Sequence, residues 1–276
     1  MKSIERCRSF LGAQSATAWA RLPGLRDRLR GSDVAKGTWF MLLGLGGRYL
    51  VQAVYFVVIA RALDPDGYGA FVGTLALMIA AVPFASWGTG HVLIQDVARD
   101  SQQFARRWGD ALLVTTLCGL GLCVLMLGVS RLILPESISL GLIVALALSE
   151  LFFARLTDLA SQAFLAFGQV KRTAVLSVWQ VVVRLVAAFA MLTLDRSPTP
   201  EHWGFAYVLS SAVAAVAALA LVRRELGSAE LDWVIPISRL KEGFYFSIGH
   251  SAGGIYSEID KTMLVRLSTL QATGVY

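Results

Sequence analysis

Apolar runs of 20 residues or more recur along the whole chain, and this repetition constrains its fold more than any single motif. At a rise of 1.5 Å per residue, about 20 residues cross the roughly 30 Å hydrocarbon core of a bilayer. The first convincing run is Gly37 to Ala60, broken only by Arg48 and Gln52. The second, Ala70 to Ile94, carries Pro83 in its middle, where the lost helix hydrogen bond predicts a kink. Ala111–Leu134, Ile138–Leu159, Thr173–Leu194 and Trp203–Val222 follow, and a seventh run, Gly243–Leu267, is interrupted by His250, Glu258, Asp260 and Lys261. The expected fold class is therefore all-α, a polytopic membrane helix bundle. With 56% apolar and only 16% charged residues the chain does not read as an ordinary globular enzyme.

Charge supplies the orientation. The net charge of +6 would raise the question of nucleic acid in a soluble protein, but here its placement alternates. Residues 1–37, 95–110, 155–172 and 223–242 hold 18 basic residues, whereas the intervening connections hold four: Arg61, Arg131, Arg196 and Arg266. Basic loops stay on the cytoplasmic side, so the N-terminus is expected there and nucleic acid is not expected as a partner. The segments then divide as a basic cytoplasmic segment 1–36, six membrane helices over 37–222, a cytoplasmic connection 223–242, and a seventh helix with the residues after it at 243–276. Alternating Leu, Trp and Ile among charges hints at an interfacial segment in that connection.

Little points to catalysis. Cys7, Cys118 and Cys123 form neither a disulfide framework nor a metal pattern. His91 and His250 have no metal-ligand partners at diagnostic spacing and read as packing residues. Gly44, Gly46 and Gly47 lack the lysine and preceding strand of a nucleotide loop, so close helix packing is expected of them. Leu63 to Gly69, with Asp64 and Asp66 flanking Pro65, reads as a tight extramembrane turn. No nucleophile with an oriented base is visible, and neither enzyme activity nor a cofactor or metal is expected.

The informative polar residues lie inside the apolar runs. Arg48, Arg184 and Lys261 are the positive ones, and Glu150, Glu258 and Asp260 the negative ones. Each costs about 2.5–3.5 kcal/mol on insertion scales if it faces lipid, so all are expected to face a bundle interior or an aqueous cavity. Two roles compete. Arg48, Arg184 and Lys261 suit an anionic substrate group, arginine being able to grip phosphate with paired hydrogen bonds. Alternatively Arg184 and Glu150, and Lys261 and Glu258 at i,i+3, neutralise one another.

Three segments resemble the lipid-linked oligosaccharide flippases, the polysaccharide biosynthesis proteins of the superfamily that includes multidrug and toxin extruders. The loop Ala60-Arg61-Ala62-Leu63-Asp64-Pro65-Asp66-Gly67-Tyr68-Gly69 is similar to that family's leucine, proline and Tyr-Gly pattern. Ser86-Trp87-Gly88-Thr89-Gly90 resembles its glycine cluster in helix two. Ile259-Asp260-Lys261-Thr262 with Gly274-Val275-Tyr276 resembles its helix-seven Asp-Lys motif and the start of helix eight. The resemblance implies the first lobe of a two-lobed exporter plus one helix, hence a fragment or truncated product, in a bacterial inner membrane. It implies alternating-access transfer of a polyisoprenyl-pyrophosphate-linked oligosaccharide for O-antigen-type polysaccharide or lipopolysaccharide, among membrane lipids and with polymerase or assembly proteins as candidate partners. An ion-coupled drug or metabolite extruder and a non-transporting assembly subunit are the alternatives.

Overall fold

The computed structural model describes residues 33–194, 198–230, 241, 243–249, 251, 263, 265 and 266, and regular structure among them is entirely helical. In chain order the elements are α1 Asp33–Ala62, α2 Pro65–Ala85, α3 Thr89–Arg99, α4 Phe104–Ile133, α5 Leu140–Ala147, a π-helical turn Leu148–Phe153, α6 Ala154–Ala166, α7 Val170–Leu194 and α8 Pro200–Glu225. They make six crossings, because α2 with α3, and α5 with the π-turn and α6, each form one interrupted span. This is a polytopic membrane bundle. The expected seventh helix falls mostly outside the described residues.

Several ends differ from the sequence reading, for local reasons. The turn expected over Leu63–Gly69 shrinks to Leu63 and Asp64: Pro65 occupies the first helical turn, where its missing N–H costs nothing, and the Asp64 carboxylate accepts the Gly67 N–H at 3.2 Å. The second span keeps Pro83, the site of the expected kink, inside its helix. Its helix continues to Ala85 and breaks at Trp87 (φ 48°) and Gly88 (φ 63°). A left-handed tryptophan costs of the order of 1–3 kcal/mol. Its ring packs on Phe244 at 5.1 Å, and a side chain on Gly88 would strike the Gly243 carbonyl. The helix restarts at Thr89, whose hydroxyl donates to Ser86 O at 2.8 Å and therefore accepts from Thr115 of α4 at 3.0 Å.

With no water to expel between helices in lipid, close approach through small residues does much of the packing. Gly44 of α1 sits where a β-carbon would lie 2.8 Å from Ala174 Cβ, and Gly119 of α4 where one would lie 2.6 Å from the Leu151 carbonyl oxygen of the π-turn. Gly46, by contrast, has open space around it. Two apolar cores result. One joins Ile59, Phe71, Met78, Leu146, Leu151 and Trp203. The other joins Leu93, Trp108, Leu159, Phe164, Leu176 and Val222. Between them, near the middle of the spans, lies a polar layer that includes Ser149, Glu150, Gln180 and Ser211, all buried.

Candidate functional site in the polar layer

Glu150 is brought inward by the π-turn. A π-turn inserts one extra residue into a helix, shifts the faces on either side of it and disturbs the backbone ladder, which is why such turns recur at functional positions. Here the Glu150 carbonyl accepts the Arg155 Nε–H at 3.1 Å, while Arg155 Nη2 stands 4.0 Å from the Glu150 carboxylate and Nη1 reaches Asp158 at 2.8 Å.

The Glu150 side chain, in a residue only 6% exposed, is held mainly through one carboxylate oxygen. Its Oε1 accepts from the Tyr207 hydroxyl at 2.6 Å and from Arg184 Nη2 at 2.7 Å. Arg184 also donates to Ser211 Oγ from Nε at 3.3 Å and from Nη2 at 3.1 Å, and Ser211 shares a hydrogen bond of 2.6 Å with Ser149. The Arg184 guanidinium lies 4.1 Å over the Tyr207 ring, and that ring meets Phe71 edge-on at 5.6 Å. A buried ion pair recovers its desolvation cost only with such additional bonds, and Tyr207 and Ser211 supply them to Glu150 Oε1 and to Arg184 Nε and Nη2.

A cavity of about 170 Å³ opens beside this cluster, with Arg48, Gln52, Gln180, Arg184, Glu150, Arg155 and Tyr207 as its polar lining. Arg48 of α1 is half-buried and has no ion pair or hydrogen bond among the described residues. Gln180, one turn before Arg184 on α7 and 7% exposed, likewise has no described protein partner for its amide. The Gln180 amide is not sealed off inside the protein; it opens onto the cavity, where water or a solute can supply its hydrogen bonds.

Of the intramembrane residues singled out in the sequence, Arg48, Arg184 and Glu150 thus converge on one cavity. Lys261, Glu258 and Asp260, with His250, lie outside the described residues. Sequence reasoning missed Tyr207, Ser211 and Gln180. The signal was available: Tyr207 and Ser211 lie i,i+4 on α8, as Gln180 and Arg184 do on α7, each pair a polar stripe on an apolar helix.

Six apolar crossings around a mid-depth charged cluster define the class, a multi-pass membrane protein. Residues 34–276 match the polysaccharide biosynthesis protein family, and the chain belongs to that family. Among solved structures it is similar to a MOP superfamily transporter from Pyrococcus furiosus, reported with a binding pocket of reversed polarity, at 15% identity and a TM-score of 0.63. That likeness covers 86% of this chain and 56% of the other. It is also similar to a MATE transporter in complex with MaL6, at 16% identity and TM-score 0.62, over 83% of this chain and 54% of that one. An outward-facing multidrug resistance MATE transporter of the same superfamily gives 17% identity and TM-score 0.61, over 86% and 56%. The chain therefore spans a little over half the length of these transporters. No curated protein gives a match.

Proposed function

We propose that the protein takes part in moving a polyisoprenyl-pyrophosphate-linked oligosaccharide between the leaflets of a bacterial inner membrane, as a step in cell-surface polysaccharide assembly. The observation that carries this reading is the charge balance of the cavity. Its one carboxylate, Glu150, is occupied by Arg184, Tyr207 and Arg155, while Arg48 has no counter-charge among the described residues. A lining with a surplus positive charge and an amide open to the cavity favours an anionic head group and disfavours a cationic drug. The membership in the polysaccharide biosynthesis family supports the same substrate class.

The test is leaflet exchange in vesicles containing the complete gene product, with a fluorescent lipid-linked oligosaccharide loaded into one leaflet. Time-dependent exchange of the labelled glycan is the expected result. Efflux of a cationic drug down an imposed ion gradient, without glycan exchange, would instead assign the protein to the extruders that share its fold.

The same reading places the basic connections in the cytoplasm. A cysteine introduced at the exposed Gln169 should react with an impermeant maleimide only after the membrane is opened, and one at Glu136 in intact cells. The reverse pattern overturns the orientation.

A further inference from the structure

α1 and α7 lie side by side and run in the same direction, and the seam between them is thin. Gly37 rests against Val170, Gly44 against Ala174 and Gly47 against Val178. Because the α1 side of this seam is glycine, a groove remains on each flank. One, of about 530 Å³, follows Phe40, Leu43, Val175, Val178, Trp179 and Val182. The other, also about 530 Å³, follows Thr38, Met41, Leu42 and Leu45 on the opposite flank of α1. A third depression, about 720 Å³, shares lining residues with both and is bounded by Gly168, Gln169, Lys171 and Arg172.

The polar end and the apolar grooves are matched to a membrane boundary. Gly37 and Val170 are the first residues of their apolar spans, and the neighbouring Trp39 is 62% exposed, as is usual for tryptophan at head-group depth. Arg172 is committed to Glu225 at 2.6 Å. Lys171 is exposed, has no carboxylate partner among the described residues, and lies 4.7 Å over the Phe40 ring. Its ammonium therefore stands at the junction of the two grooves with its charge unneutralised by any described residue. From Lys171 to Val182 the first groove runs about 16 Å along α7, close to the depth of one leaflet, roughly half of a 30 Å core.

We propose that this is a binding site for one anionic phospholipid, its phosphate on Lys171 and its two acyl chains straddling α1. The two grooves select the ligand. A diacyl lipid fills both from one head group, whereas a polyisoprenyl carrier has one hydrocarbon chain and would leave a groove empty. The site is separate from the Arg48 cavity and does not depend on the translocation reading.

Native mass spectrometry of the full chain, incubated with equal phosphatidylglycerol and phosphatidylcholine of identical acyl chains, tests it. One phosphatidylglycerol should be retained per chain in preference to phosphatidylcholine by about fivefold, the scale of one lysine against an anionic lipid. Lys171→Gln and Lys171→Glu should remove the preference with the thermal midpoint unchanged. Val175→Trp, which fills a groove from an exposed position, should lower retention of both lipids, and Arg48→Ala should leave the preference intact. Equal retention of the two phospholipids, a preference that survives both Lys171 variants, or displacement of phosphatidylglycerol by a polyisoprenyl phosphate would overturn the proposal.

Discussion

Glu150→Ala is expected to destabilise the bundle by about 3–5 kcal/mol, the scale measured when one partner of a buried ion pair is removed. The reason is what remains behind. Arg184, whose side chain is only 12% exposed, would keep its charge with Ser211 as its one described hydrogen-bond acceptor, and Tyr207 would lose the acceptor it reaches at 2.6 Å. Removing both charges should cost much less than removing the carboxylate alone, because the double variant leaves no stranded ion. Thermal unfolding of detergent-purified Glu150→Ala, Arg184→Ala and the double variant gives the coupling directly. If the single and double losses add within about 0.5 kcal/mol, the pair is not the energetic unit described here.

Arg48→Ala should do the opposite: leave the thermal midpoint close to that of the parent protein and lower glycan exchange at least roughly tenfold, equivalent to about 1.4 kcal/mol of lost interaction. Arg48 makes no described contact whose loss would loosen the fold, yet it lines the cavity beside the Gln180 amide. Arg48→Lys should recover part of the rate, since it restores the charge and not the planar fork. Unchanged exchange in vesicles containing Arg48→Ala removes Arg48 from the transport site.

The contrast between these two arginines marks how far the sequence could be read. Both stand out as charges in apolar runs, because hydrocarbon makes any ionised group conspicuous. Their different roles depend on which helices touch, and α7 meets α8 and the π-turn at Arg184 through side chains that no run of hydropathy brings together. The six crossings were legible for the same reason, length and apolarity being enough. Helix ends were less so: α1 begins at Asp33 and α4 at Phe104, since a helix does not stop where lipid stops. The interruption of the second span lies a few residues beyond the proline at which a kink was expected. Pro83 is accommodated within the helix, whereas the left-handed pair Trp87–Gly88 ends it. The π-turn at Leu148–Phe153 left no trace, because a single extra residue within six shifts the helical period too briefly to be seen.

The position of the buried pair also bears on how the protein is made. Glu150 and Arg184 belong to consecutive spans, 34 residues apart, joined by the short turn at Phe167–Gln169. Each alone would resist leaving the insertion channel for lipid by about 2.5–3.5 kcal/mol. Released as a hairpin, they leave with opposite charges already matched, so the fourth and fifth spans favour joint rather than sequential partition. Arg48, synthesised long before either, has no such companion on its own hairpin.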